Sequence, residues 1–399
     1  MLSRSCVNLS KFLVVFGLCG QPVMAQSFFA NLGTDPATGV DRGSASQISP
    51  VDRPTGFLTL SSDGAEAIGP WIGSVSYAVP DLALDGDQLD GVFVLGGPSA
   101  DDRTELVAGG IGYRLALGDS GITVFANADH SGYRLGTASA LPLDIEGTVT
   151  NFAVGVQRSW ASGEAARSVA TIQFSGRSDN ASVMNSDVVD EDLRILRAAL
   201  VHERGRPYAF RQRYAVSVSK GIDGLGASDP GGSFLSMPGV ATDFLRIAGS
   251  IEMSVPLGMR TLVNAGMIGQ LTGDSLPVSQ RCGFGTNNYA RGFDRSFVNG
   301  DACLGGRVEL AYDLERPAPG DAVFRATQAF LGLDGGMLRD NANDILPRTE
   351  DGWASLSTGV RALWGEFLGE VALTHVLDEP AGAFPQDETR LWIRTALRF

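Results

Sequence analysis

The chain has 399 residues, with 31 Lys and Arg against 45 Asp and Glu, a formal charge of −14. That balance excludes a protein built to grip nucleic-acid phosphate. Its 44% hydrophobic residues suit an ordinary globular protein, but 51 Gly and only 19% charged residues depart from averages of about 7% Gly and about 25% charged, so the fold must use glycine heavily.

Residues 1–25 carry Arg4 and Lys11, an apolar run from Phe12 to Cys19, Pro22-Val23-Met24-Ala25 ahead of Gln26, and no acid. This pattern predicts a secretory signal peptide cut after Ala25, because the apolar run is too short for a bilayer, which takes about 20 residues. Without the leader the chain keeps 29 basic against 45 acidic residues, a balance of −16, and its only Lys is Lys220. Cys6 and Cys19 leave with the leader. Cys282 and Cys303 remain and are expected to pair in an oxidising compartment. No later stretch approaches about 18 consecutive apolar residues, so an exported chain of this kind is either soluble or a closed barrel.

Residues 26–54 are rich in Gly, Asp, Ser and Pro, including Gly33-Thr34-Asp35-Pro36 and Ser49-Pro50-Val51-Asp52-Arg53-Pro54. The composition predicts a flexible periplasmic linker or tail. From residue 55 the dominant signal is a period of two. Ile111, Tyr113, Leu115 and Leu117 stand opposite Gly110, Gly112, Arg114 and Ala116. Phe152, Val154, Val156 and Trp160 oppose Asn151, Ala153, Gly155, Gln157 and Ser159, and Tyr214, Val216 and Val218 oppose Arg213, Ala215, Ser217 and Ser219. Further on, Ile247, Ile251, Met253 and Val255 oppose Arg246, Ala248, Ser250, Glu252 and Ser254. Val308, Leu310, Tyr312 and Leu314 oppose Arg307, Glu309, Ala311 and Asp313, and Leu391, Ile393, Leu397 and Phe399 oppose Arg390, Arg394 and Arg398.

Sixteen such segments are predicted, near 55–63, 66–79, 86–97, 103–117, 119–133, 145–161, 165–176, 191–204, 207–220, 242–256, 258–272, 303–314, 322–336, 351–364, 366–376 and 388–399. An even, long run of strands ending at the last residue predicts a 16-stranded antiparallel transmembrane β-barrel over residues 55–399, with lipid on the apolar face and small or charged residues lining the lumen. The competing fold is a soluble all-β protein.

Catalytic chemistry has little support. His130, His202 and His375 fall on three distant segments without a second ligand at metal spacing, and neither a Gly-x-Ser-x-Gly elbow nor a phosphate-binding glycine loop occurs. The expectation is a protein that is not an enzyme and needs no cofactor or metal.

Residues 273–303 separate the eleventh and twelfth segments by a long loop reading Cys282-Gly283-Phe284-Gly285-Thr286-Asn287-Asn288-Tyr289-Ala290-Arg291-Gly292-Phe293-Asp294, with Cys303 just before the next strand. A bridge between the cysteines would restrict this loop by about 3 kcal/mol of chain entropy. On this loop the sequence resembles the outer-membrane transporters of two-partner secretion, the hemolysin secretion and activation proteins, whose superfamily includes the barrel assembly factor. Their lumen-directed lid loop carries an Arg-Gly-Phe or Arg-Gly-Tyr tip, matched by Arg291, Gly292 and Phe293. The resemblance implies that Arg291 meets a downstream aspartate in a Phe-x-Asp-x-Gly sequence. Asp334 and Gly336 match that sequence, Gly332 stands at the Phe position, and Phe330 shares a face with Asp334.

The resemblance covers residues 55–399, from Gly86-Asp87-Gln88-Leu89 to the last strand, where Phe399 would be the C-terminal signal read by the barrel assembly machinery. It implies location in the bacterial outer membrane, contact with outer-membrane lipid, and an unfolded exoprotein as partner, a β-helical adhesin or hemolysin. The 29 residues from Gln26 to Pro54 are too few for the family's two periplasmic POTRA domains, so none is expected in this chain. Two further readings remain open: a passive pore or structural barrel derived from such a transporter, and an outer-membrane protein assembly factor.

Overall fold

The computed structural model describes residues 51, 53–62, 64, 69–98, 104–136, 141–163, 165–205, 210–285, 289–294, 298–314, 325–343, 345–380 and 388–399. The leader expected over 1–25 and the linker expected over 26–54, apart from residues 51, 53 and 54, lie outside the described residues. The strands are β1 (Thr55–Ser61), β2 (Ile72–Pro80), β3 (Asp87–Gly96), β4 (Leu106–Ala116), β5 (Ile122–Arg134), β6 (Ile145–Gly163), β7 (Ala166–Val183), β8 (Ser186–Gly205) and β9 (Arg211–Gly221). They continue as β10 (Leu245–Pro256), β11 (Thr261–Thr272), β12 (Cys282–Phe284), β13 (Val298–Gly300), β14 (Ala302–Asp313), β15 (Arg325–Asp340), β16 (Thr349–Trp364), β17 (Phe367–Asp378) and β18 (Thr389–Arg398).

Sixteen of these strands close one antiparallel barrel in which β1 pairs with β18 and β11 with β14, while β12 and β13 form a separate two-stranded ribbon. Alternation explains which way each wall faces. On β14, Val308, Leu310 and Tyr312 are 55%, 46% and 45% exposed, whereas Glu309 and Ala311 between them are 4% and 0% exposed. A soluble sandwich would bury the apolar face. Here the apolar face is outermost and the polar one is enclosed, the arrangement of a barrel whose solvent is lipid.

The last residue helps to close the seam. β1 and β18 pair from Phe57 opposite Arg398 to Ser61 opposite Arg394, and Gly56 and Phe399 exchange two main-chain hydrogen bonds, 2.8 and 3.0 Å. The Phe399 ring lies over Gly56, where a Cβ would come within 2.4 Å of it. It also stacks on Tyr77, with ring centroids 6.4 Å apart.

The two rims differ. At the rim where β1 begins and β18 ends, residues 257–260 and 365–366 are examples of short turns. Exposed Tyr77, Trp160, Tyr214, Tyr312, Trp364 and Phe399 stand near that rim, as an interfacial aromatic girdle does. The opposite rim carries the longer connections, including 222–244 and 273–301.

Three strand limits differ from those expected by five residues or more. β2 begins at Ile72 rather than 66, β7 runs on to Val183 rather than 176, and β8 begins at Ser186 rather than 191. The β7–β8 hairpin turns on Met184 and Asn185, both with positive φ (51° and 61°), as a two-residue hairpin turn requires. Its outer arm reads Ser178-Asp179-Asn180-Ala181-Ser182. Both faces are polar, so the strand continues where the apolar alternation that would reveal it has stopped.

Candidate functional site

The loop from 273 to 301 turns back into the barrel. Cys282, Gly283 and Phe284 are buried, as are Tyr289, Ala290, Gly292, Phe293 and Asp294. The short ribbon pairs Cys282 with Gly300 and Phe284 with Val298. A Cys282–Cys303 disulfide, with Cα atoms 6.1 Å apart, ties it to β14. Arg281 fixes the ribbon's entry, donating from Nε to Asn299 Oδ1 at 2.8 Å and pairing with Asp340 on β15. Asp301 fixes its exit, accepting from the main-chain N–H groups of Leu276 and Asn341 at 2.9 and 2.8 Å. Burial pushes the Asp301 carboxyl up, against the pull of those two donors.

Below the ribbon the loop rests on aromatic rings. Phe284 packs 4.8 Å from Trp353 of β16, and Phe293 meets the same indole edge-on at 6.4 Å. Room for these rings comes from two glycines in register, Gly305 and Gly336. A Cβ at Gly305 would lie 2.5 Å from the Phe284 ring, and one at Gly336 would lie 2.8 Å from the Trp353 ring and 2.6 Å from the Leu304 carbonyl. Gly336 thus acts by having no side chain.

The tip is a tight turn. Phe293 N–H donates to Ala290 O at 3.0 Å, and Ala290 takes a positive φ of 57°. Both expected partners lie at this turn, and a third residue joins them. The main-chain N–H of Arg291 donates to Asp334 Oδ2 at 3.2 Å, Gly292 N–H donates to Ser355 Oγ at 3.2 Å, and the Ser355 hydroxyl donates to the other oxygen of Asp334. Asp334 therefore holds the turn through the backbone of Arg291. The guanidinium extends towards the carboxylate of Glu309 on β14, 3.0 Å away, with Ser357 Oγ at 3.4 Å.

Glu309 is shared. Arg361 of β16 reaches its other oxygen at 2.6 Å, and Asn264 Nδ2 donates to that oxygen at 3.1 Å. The guanidinium carbons of Arg291 and Arg361 each lie 5.2 Å from the centroid of the Phe330 ring. Such cation–π contacts add about 0.5–2 kcal/mol each where water is excluded. Gly332 stands at the same height as Glu309 and Ser357, where a Cβ would come within 2.7 Å of Ser357 Oγ. A ring there would crowd Ser357 and the Arg291 guanidinium, and Phe330, two residues along the same face, supplies the ring. A second ion pair ties the tip to a strand two further round from β16: Asp294 Oδ1 lies 2.5 Å from Arg390 of β18.

Sequence reasoning singled out Arg291, Gly292, Phe293, Asp334, Gly336, Cys282 and Cys303, and the fold brings all seven to this loop or the wall behind it. Phe399 lies apart, at the opposite rim. Glu309, Arg361, Ser355 and the Asp294–Arg390 pair were missed, although Glu309 and Arg390 fall on the polar face by simple alternation. His130, His202 and His375 lie on separate strands, each beside a hydroxyl of a neighbouring strand, Thr150, Ser168 and Thr389.

Residues 108–362, from β4 to β16 and including the whole lumen loop, match the family model described as haemolysin secretion/activation protein ShlB/FhaC/HecB. No curated protein sequence matches the chain. Among solved structures, CdiB from Escherichia coli superposes with a TM-score of 0.74 at 17% identity, over 88% of this chain and 63% of that one. CdiB from Acinetobacter baumannii gives 0.67 at 15% identity, over 88% of this chain and 60% of that one. BamA from Haemophilus ducreyi lacking POTRA domains 1–3 gives 0.54 at 10% identity, over 88% and 71%. The chain thus spans less than two thirds of either CdiB chain, and the likeness to all three is one of fold. With its barrel, its lumen loop and the match across both, the chain is an outer-membrane protein and belongs to the haemolysin secretion/activation protein family ShlB/FhaC/HecB.

Proposed function

We propose that this protein is the outer-membrane transporter of a two-partner secretion system, moving an unfolded exoprotein outward without nucleotide hydrolysis. The observation that carries this reading is the way the described residues of loop 273–301 are held against the lumen wall. Its tip is held by polar contacts on two adjoining strands, Asp334 on the main chain of Arg291 and Glu309 on its guanidinium. Polar contacts of this kind can be exchanged for water when the tip moves. Arg291, Gly292 and Phe293 then form the tip of a lid, and Asp334 and Glu309 its latch. A signal peptide over 1–25 delivers the chain to the periplasm, the barrel assembly machinery inserts it using Phe399, and the partner is a secreted adhesin or hemolysin.

The test compares proteins in the culture medium of cells with and without this chain. The reading expects one large secreted protein to vanish from the medium and to collect in the periplasm when the chain is absent, and to return when it is restored. An unchanged medium, together with ion conductance through the purified barrel, would leave a passive pore.

A further inference from the structure

Three neighbouring strands bring two cations onto one oxygen. The register sets Arg197 of β8 opposite Ser219 of β9, and Ser219 opposite Arg246 of β10. All three fall on the face turned to the lumen, because Leu196, Val218 and Ile247 beside them are the exposed, lipid-facing residues. Arg197 donates from Nε to Ser219 Oγ at 3.1 Å, and Arg246 Nη2 lies 3.5 Å from the same oxygen. The two nitrogens are therefore no further apart than those two lengths together.

Arg246 is unlike other enclosed arginines of the wall. Arg114, Arg177 and Arg361 meet the carboxylates of Asp90, Asp179 and Glu309 at 2.7, 2.5 and 2.6 Å. Arg246 is 2% exposed, yet among the described residues it meets no carboxylate. Besides Ser219 it has the main-chain oxygen of Gln280, 3.0 Å from Nη1, and its Nε has no acceptor. A guanidinium keeps its charge in proteins, and an enclosed charge served only by neutral groups is costly to hold. The second cation alongside raises that cost, and an anion between the two removes it.

The surroundings make the place small and close it on one side. Towards the long-loop rim, Leu193, Ile195, Phe244 and Leu276 form an apolar cluster, each 4% exposed or less. Ile195 and Phe244 stand two residues from Arg197 and Arg246 on the same faces, so the cluster caps the row. The next row down is Ala199, Ser217 and Ala248, whose short side chains leave room for an ion of a few atoms. Gln173 of β7 flanks Arg197, and its Oε1 is enclosed without a partner. Half a turn of that amide presents its NH2 instead. Paired guanidinium donors match the several oxygens of phosphate or sulfate better than a single spherical chloride.

The row is also joined to the lumen loop. The Gln280 oxygen that accepts from Arg246 accepts from Gln270 Nε2 as well, at 3.0 Å, and Gln280 lies two residues before Cys282. An anion that fixes the Arg246 guanidinium thus fixes the entry of the ribbon.

We propose that Arg197, Ser219 and Arg246 form a binding site for a phosphate-class oxyanion in the barrel wall, and that its occupancy holds loop 273–301 in place. The site needs only the barrel and the loop, so it stands or falls separately from the export of a protein.

Equilibrium dialysis of the purified full-length protein against radiolabelled inorganic phosphate should find saturable binding that sulfate displaces and chloride at equal ionic strength does not. Arg246→Gln and Arg197→Gln, each first checked for the gel shift on heating that a closed barrel shows, should lose that binding. In planar bilayers, phosphate at about ten times its dissociation constant should make openings of the wild-type barrel about tenfold rarer, as binding to the closed form alone requires. It should leave the openings of Arg246→Gln unchanged. If Arg246→Gln does not fold, Arg246→Lys, which keeps the charge but loses the planar fork, should bind about tenfold more weakly, the equivalent of one charge-assisted hydrogen bond. Absence of saturable phosphate binding, binding that survives the substitutions undiminished, or an equal effect of chloride overturns the site. Binding that leaves the openings of wild type unchanged overturns its hold on the loop.

Discussion

The guanidinium of Arg291 lies 3.0 Å from the carboxylate of Glu309, while Asp334 receives the N–H of the same arginine from the main chain. One residue of the lumen loop is thus held twice, by its backbone to β15 and by its side chain to β14. Glu309 also serves Arg361 at 2.6 Å, so the two sides of the ion pair are not equivalent. Removing the arginine leaves a carboxylate still paired, whereas removing the carboxylate leaves two enclosed cations, each 5.2 Å from the Phe330 ring centroid, without it.

Glu309→Gln should therefore do more harm than Arg291→Ala. Breaking a buried pair by deleting the shared partner costs about 3–5 kcal/mol, and the loss should fall on the attachment of the loop. Planar-bilayer recordings on purified protein should show higher or noisier conductance in both variants, larger for Glu309→Gln. Equal, unchanged conductance would mean that the ion pair does not hold the loop.

Asp334→Ala removes the acceptor of both Arg291 N–H and the Ser355 hydroxyl. Because Arg291 joins the two carboxylates, Arg291→Ala and Asp334→Ala should combine less than additively, with a coupling of about 0.5–3 kcal/mol. Thermal unfolding of the four proteins of the cycle measures it. Strict additivity would show that the two residues act separately.

Gly336→Ala places a methyl group where the Leu304 carbonyl and the Trp353 ring already stand, 2.6 and 2.8 Å away. The main-chain contact cannot yield by a change of rotamer, so overpacking of about 1–3 kcal/mol is expected. The temperature at which the barrel loses its compact mobility on a semi-native gel should fall. Gly258→Ala, where a Cβ meets nothing within 4 Å, should leave it in place.

Much of this was open to a reading of the sequence, and the parts that were not share a cause. Alternation located all sixteen barrel strands because lipid outside and polar groups inside demand opposite chemistries at successive residues, as at Val308, Glu309 and Leu310. Where that contrast ends, the reading ended too. The outer arms of β7 and β8 were missed because Ser178, Asn180 and Ser182 look no different from the residues between them. Face could be read, but height could not. Glu309 was placed on the polar side of its strand, yet its position level with Gly332 and Ser357, and so beside Arg291, depends on the stagger of three strands. Phe330 was legible as sharing a face with Asp334, but the two arginines that lie against its ring were not.

The disulfide gives a test of how much the shape of the loop depends on covalent closure. Cys282 and Cys303 are both buried, and the bridge joins the ribbon to the start of β14. Cys282→Ser with Cys303→Ser should cost about 2–5 kcal/mol, but the loss should be local. The barrel pairs β11 directly with β14 from Thr261 opposite Tyr312 to Gln270 opposite Cys303, and none of those hydrogen bonds requires the bridge. The barrel should still insert, stay compact before boiling and shift on the gel when heated. The ribbon should loosen, because the bridge ties Cys282, two residues from Phe284, directly to β14. Protease added outside intact cells should then cut within 273–301 faster than in wild type, and mass spectrometry of the unreduced wild-type protein should find the two cysteines joined. Equal cutting of the two proteins would show that Arg281, Asp301 and the tip contacts hold the loop without the bridge.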